Sequence, residues 1–421
     1  MEDRNVTDRT YRLFEVFGIE VEYMIVDSRT LDVRPVADQV LSNDSEEVCS
    51  DVEVGPLTWS NELALHLIEL KNTRPSRRLV ELPAAFRTSL WEVERRLAPL
   101  NCRLLPGAMH PWMRPEQDTK LWSYDNREIY EAYDRIFDCS GHGWLNLQSI
   151  HMNLPFGNAD EFGRLHAAVR LVLPLLPALA ASSPIYEGRL TGWMDSRLEV
   201  YRKNQARIPS ITGSIIPEPI FDPDEYMACI LEPMYRDIQP LDLDGILQEE
   251  WLNSRGSIAR FDRNTFEIRL IDTQECVTAD FAVYDLVRAV LRGMVEERWS
   301  SYTRQKEWSV ERLRSILDET ILSGGFSRIF DTEYLAMFGL KGADMNMSGR
   351  DAWRALAQRA AEEARLEFPD AVLNLVALPT LAERITCALG SNPSHSLLFY
   401  IWTQLADCLR QDCFFIPKLP A

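Results

Sequence analysis

The stretch Phe17–Val26, FGIEVEYMIV, decides how this chain is read. Its odd positions, Phe17, Ile19, Val21, Tyr23 and Ile25, form an unbroken apolar series, whereas the even positions include Glu20 and Glu22. Side chains alternate across a strand, so both carboxylates share one face, about 7 Å apart at ~3.4 Å per residue. Glutamate is depleted in strands, and like charges placed this close repel. The pattern therefore predicts a strand, over residues 12–26, with an apolar back and a front that holds two negative charges up to something.

The same design recurs further along. In SIARFDRNTFEIRLID (257–272), two alternating runs flank the turn-forming DRNT and predict a hairpin. Its second run puts Phe266, Ile268 and Leu270 on one face and Glu267 with Arg269 on the other. GWLNLQSIHMNLPF (143–156) reads as a strand ending at Pro155, with Ser149, His151 and Asn153 on one face. In NELALHLIELKNTRP (61–75), periods two and 3.6 are mixed; Glu62 and Glu69 lie two helical turns apart or along a kinked extended path. SRTLDVRP is expected to turn into a second strand, and CRLLPGAMHPW to run from a strand into a loop. Helices are expected over 76–101, 122–138, from an Asp160 cap into a run kinked by Pro174 and Pro177, and over ADFAVYDLVRAVLRGMVEERW, 351–365 and 395–410.

Four or five carboxylates and a histidine cannot share a cavity unpaired, because desolvation and repulsion would protonate them. Divalent cations resolve the conflict, and hard oxygen donors in this number suit Mg²⁺ or Mn²⁺, with substrate phosphates completing the shell. Arg269 beside Glu267 would then face those phosphates. The competing interpretation is a wetted strand face on which Glu267 and Arg269 form an ordinary surface pair.

The bulk properties narrow the classes. The chain has 421 residues, 46% hydrophobic and 26% charged, with 64 acidic against 45 basic side chains and a net charge of -19. That balance argues against nucleic-acid or anionic-membrane partners. Eight cysteines without a C-x-x-C pair fit reduced thiols, and the polar N-terminus has no apolar signal region, so a cytoplasmic location is expected. The apolar run 171–181 is interrupted by prolines and too short to span a bilayer. P-loop, dinucleotide, H-E-x-x-H and G-x-S-x-G motifs are missing. With no repeat or long linker, a single catalytic domain over 1–421 is expected: an α+β core at about 12–300, and helices at about 301–421 covering the sheet.

In order over residues 17–290, GIEVEY, ELALHLIELKNTRP, GAMHPW, QSIHMNLPF, PALAASSPIYEGRLTGWMDSRLEVYR and ARFDRNTFEIRLID resemble the glutamate–cysteine ligase superfamily, second branch, the carboxylate–amine ligases. Many such ligases carry histidine where this chain has Ser149. The resemblance implies a glutamine-synthetase-like, largely antiparallel sheet forming a funnel-shaped active site. ATP with two or three Mg²⁺ would occupy one end and an amino-acid carboxylate the other. It implies Glu20, Glu22, Glu62, Glu69, His151 and Glu267 as metal ligands, and Arg269 with Arg260 as phosphate contacts. Arg197, Asn153 and Ser149 are implied as substrate contacts. The implied activity joins a glutamate-like carboxylate to an amine through an acyl phosphate, in a homodimer at family level. The alternative is a catalytically silent member that binds an amino acid or a partner protein.

Overall fold

The structure is a computed structural model and describes residues 10–42, 47–340 and 347–419. Among these described residues ten strands follow in chain order: β1 (Gly18–Asp27), β2 (Asp51–Val54), β3 (Leu57–Asn61), β4 (Leu67–Asn72), β5 (Cys102–Leu105), β6 (Ser149–Pro155), β7 (Ile185–Tyr186), β8 (Arg189–Leu190), β9 (Ser257–Arg260) and β10 (Thr265–Asp272). Among the described residues, eight form one antiparallel sheet in the order β2-β3-β4-β1-β6-β10-β9, and β5 pairs with the second half of β1.

The alternation in β1 dictates this arrangement. Ile19, Val21, Tyr23 and Ile25 join Trp59, Ile68, Leu70, Ile150, Met152, Leu154 and Phe266 in the main core. Helices Leu82–Leu97, Ala159–Val172 and Val277–Val295 contribute the other side of that core. The front face is divided along β1. Beyond Glu22 the even positions become Met24 and Val26, which pack in a second core with Leu381, Ile385, Leu398 and Trp402 from helices Leu381–Leu389 and His395–Gln411. The last helices thus cover the apolar half of the front and leave the ionic half to a cavity. Gly18 is required where β1 meets β6, since a Cβ there would lie 2.9 Å from Asn153 Cβ.

Several expectations are corrected. Residues 12–17 precede the strand, and only an isolated bridge at Val26–Val33 stands where a second strand was expected after SRTLDVRP. The ambiguous 61–75 segment is the kinked extended path: β3 ends at Asn61, the chain turns, and β4 begins at Leu67. The helix of 159–172 is capped by Asn158, whose side chain accepts from the Glu161 N–H, so Asp160 lies in its first turn. The prolines do interrupt it, as a 3₁₀ turn over Leu173–Leu175. Counted whole, Ala159–Ala180 has the length and apolarity of a membrane span, as does Pro369–Leu389; the first is almost wholly buried in the fold and the second more than half buried.

Candidate active site

Register places the predicted residues on one surface. Glu20 stands opposite Lys71 on β4 and His151 on β6, and Glu22 opposite Glu69. Asn153 on β6 stands opposite Glu267 on β10. Between Ile268 and Ile271 the ladder slips: Arg269 and Leu270 together oppose the single residue His151. This is a β-bulge. Without it Ile271 would face Ser149; with it, Asp272 does.

The side chains then interlock. Glu22 Oε2 accepts from the Ser149 N–H at 2.6 Å and its Oγ–H at 2.9 Å, and Ser149 Oγ lies 3.0 Å from His151 Nε2. His151 Nδ1 is 3.3 Å from Glu20 Oε2, while Asn153 Nδ2 donates to Glu20 Oε1 at 3.0 Å. Arg269 Nε donates to Glu267 Oε1 at 2.5 Å and Arg260 Nη1 to Oε2 at 3.3 Å. Lys71 Nζ pairs with Glu69 at 3.0 Å and Asp51 at 3.3 Å.

Two carboxylate groupings emerge. Donor atoms of Glu20, Glu69 and His151 lie within 4.8 Å of one another, as do those of Glu22, Glu62 and Glu69. The electrostatics show how poorly the protein alone holds this charge. Burial pushes Glu69 up to about 7, with Glu20 and Glu22 adding to the rise against Lys71. Burial, then Glu22 and Glu69, push Glu62 well above the carboxylate range. Burial opposes ionisation of Glu20 too, but the hydrogen bond and charge of His151 hold its carboxyl below that range. Burial likewise works against the His151 cation, yet Glu20, Glu22 and Glu267 raise it to about 9. Oxygen donors in two adjoining groups, two of them resisting ionisation, fit hard divalent cations.

These groups open into a cavity of about 370 Å³ lined by Glu20, Glu22, Glu62, Glu69, His151, Ser149, Arg197, Arg260, Glu267 and Arg269. Its roof is aromatic: Tyr130, Tyr133, Trp144, Tyr201 and Trp251. A second cavity of about 530 Å³ adjoins it, sharing Glu20, Lys71 and Arg263 as a common wall and including Asn153. The structure thus brings together every residue singled out from sequence. Arg197, expected as a substrate contact, lines the cavity and is also tied down internally: its side chain is 2% exposed, donating Nε to Asp272 Oδ1 and both Nη groups to the Arg269 carbonyl. Sequence reasoning missed Lys71, Arg263, Asp272 and the aromatic roof. Lys71 was legible, two residues after Glu69 in strand alternation; Asp272 was not, because only the bulge turns it forward.

Residues 16–366 match the family model described as glutamate–cysteine ligase family 2. The chain belongs to that family. Over 283 residues it is 38% identical to an uncharacterized protein of Archaeoglobus fulgidus, covering 67% of this chain and 75% of the relative. Glutamate–cysteine ligase of Francisella tularensis in complex with AMP superposes with a TM-score of 0.59 over 96% of this chain and 89% of that one, at 12% identity. A bifunctional glutathione synthetase from Pasteurella multocida gives 0.57 at 16% identity over 95% of this chain and 52% of that one. The family 2 chain therefore spans about half the length of the bifunctional protein. At these identities the structures establish a shared fold: helices around an antiparallel sheet, as in ligases.

Proposed function

We propose that the protein is an ATP- and Mg²⁺-dependent ligase joining an amino-acid carboxylate, glutamate-like in class, to an amine. The observation that carries this reading is the ionic half of the sheet front, where two carboxylate groups and an arginine pair line one cavity that meets a second at Glu20, Lys71 and Arg263. Family membership supports a ligase, and the AMP held by the Francisella protein supports a nucleotide ligand.

Glu20, Glu22, Glu62, Glu69, His151 and Glu267 would hold the cations, which would supply charge neutralisation to the phosphates. A substrate carboxylate oxygen attacks the γ-phosphorus; the bond from that phosphorus to the β-bridging oxygen breaks, leaving ADP and an acyl phosphate. Arg269 and Arg260, anchored on Glu267, offer N–H groups to the charge being transferred. The amine nitrogen then attacks the acyl carbon, the C–O bond to phosphate breaks, and the nitrogen loses a proton. The protein's part is positioning and electrostatics. The sheet and its helices act as one catalytic domain, a glutamine-synthetase-like funnel, in a cytoplasmic protein.

The test is phosphate release from Mg·ATP with amino acids offered singly and in pairs. Release that requires one carboxylate and one amine together is expected; release without nucleotide, or silence from folded protein across the panel, overturns the reading. Glu20→Gln and Glu267→Gln serve as controls, each expected to cut turnover by about 10²-fold or more.

A further inference from the structure

The β10 bulge leaves a structural debt at Arg269. With two residues opposing one, the ladder between β10 and β6 is broken at this point, and a buried carbonyl without a partner is costly. The Arg269 N–H is satisfied by the Gly256 carbonyl at 3.0 Å. Its own carbonyl is met from outside the sheet, by Arg197 Nη1 at 3.3 Å and Nη2 at 3.4 Å. The same guanidinium donates Nε to Asp272, the residue that the bulge turns forward. One side chain therefore ties together both ends of the irregularity, at the residue whose guanidinium reaches Glu267.

Arg197 is itself held from several sides. Asp272 also accepts from the Ser182 N–H at 2.8 Å and the Ser183 Oγ–H at 3.0 Å. Ser183 Oγ in turn accepts from the Arg197 N–H at 3.1 Å. The short helix carrying Arg197, Ser196–Tyr201, is capped by Asp195, which accepts from the Leu198 N–H. Asp272 is fully buried. Three of the five guanidinium N–H groups are thus committed to an internal carboxylate and a carbonyl, which fixes the side chain and leaves a ligand carboxylate at most one N–H on each Nη.

We propose that Arg197 is a positioning residue, clamping the β10 bulge and so fixing the backbone from which the Arg269 guanidinium reaches Glu267, rather than the group that receives the substrate carboxylate. The proposal rests on the ligase reading for its kinetic consequences, but its structural half does not.

The experiment compares wild type with Arg197→Lys and with Arg197→Met/Asp272→Asn, the latter removing both buried charges together in case a lone Asp272 prevents folding. Hydrogen exchange of the 265–272 amides is measured first. At least tenfold faster exchange there, with the 18–27 amides unchanged, is expected; unchanged exchange in 265–272 overturns the clamp. Phosphate release from Mg·ATP is then measured against glutamate as the probe carboxylate. Positioning predicts a kcat loss of about 10²-fold with the KM for glutamate within threefold. It also predicts that Arg197→Lys adds little to the loss already produced by Arg269→Lys. A tenfold rise in KM with kcat preserved overturns the proposal in favour of direct carboxylate binding. Silence of the wild type sinks the ligase reading instead, and the exchange result alone then decides the clamp.

Discussion

Ser149 shows how one small side chain substitutes for charge at this site. Its amide and hydroxyl both donate to Glu22, and its hydroxyl also lies against His151. Ser149→Ala keeps the amide donor and removes the other, from a carboxylate that is only 8% exposed. A loss of about 1.5–3 kcal/mol in urea unfolding is expected, in line with hydrogen bonds to charged groups. His151 is the companion case. Its cation is held by Glu20, Glu22 and Glu267 against burial, which raises its titration from 6.5 to about 9. Since its folded value is the higher one, its contribution to stability is complete below pH 6.5 and is lost as pH rises through 9. Glu20→Gln removes its nearest carboxylate, so the imidazole of the metal-free variant should titrate lower than in wild type. An NMR titration of the ring protons checks this; an unchanged midpoint would mean that Glu22 and Glu267 dominate.

At the scale of elements, the bulge in β10 is where the sheet turns from scaffold to site. Gly256 lies beside it, and a Cβ there would meet Leu270 Cδ1 at 2.6 Å and Cγ at 2.8 Å. Gly256→Ala must therefore push a buried core leucine or shift the hairpin, at a cost of about 1–3 kcal/mol. A lowered melting temperature accompanied by a larger fractional loss of phosphate release is expected; a loss of stability alone would separate the hairpin from catalysis. The strands carrying Glu20, His151 and Glu267 were legible because period-two alternation is local and each has an apolar back, although of 143–156 only Ser149–Pro155 is strand and His142–Leu145 is a helical turn. The bulge was not, because two residues opposing one is a property of the partner strand, invisible in TFEIRLID itself. For the same reason the Arg197–Asp272 pair was not legible: the Arg197 motif is sequential, whereas its partner, 75 residues away, is turned forward by a register slip. The kink at 61–67 escaped assignment because the turn between two strands there mimics helical spacing.

Over the whole molecule, a negative chain buries still more negative charge at its centre, and that sets how pH and divalent ions act on stability. Glu69 is 5% exposed and, mainly through burial, its carboxyl is raised from 4.5 to about 7; Glu62 too is raised well above the carboxylate range, by burial and by Glu22 and Glu69. An acid whose folded value exceeds its unfolded value binds its proton more tightly when folded. Its contribution is thus stabilising at low pH and declines as pH rises from 4.5 towards 7. Glu20 and Glu267, held low by His151 and by Arg269 respectively against burial, oppose this trend, since their stabilisation is present above 4.5 and lost only as pH falls through their lowered values. Up to pH 6.5 the imidazoles of His66, His110 and His166, held low by burial, gain stability with pH and oppose the acids; above 6.5 the raised groups Glu69, Glu250 and His151 set the slope together. In chelator, the melting temperature should therefore fall from pH 6.5 to 8. Mg²⁺ binds the ionised carboxylates in competition with protons, so it should raise the melting temperature little at pH 5.5 and by several degrees at pH 8. Calorimetry at both pH values, with Mg²⁺ against chelator and with Glu69→Gln as control, measures the effect. In Glu69→Gln the slope in chelator should flatten and the Mg²⁺ increment shrink together. A pH-independent increment, or one that survives the substitution, would place the cation away from the front of the sheet.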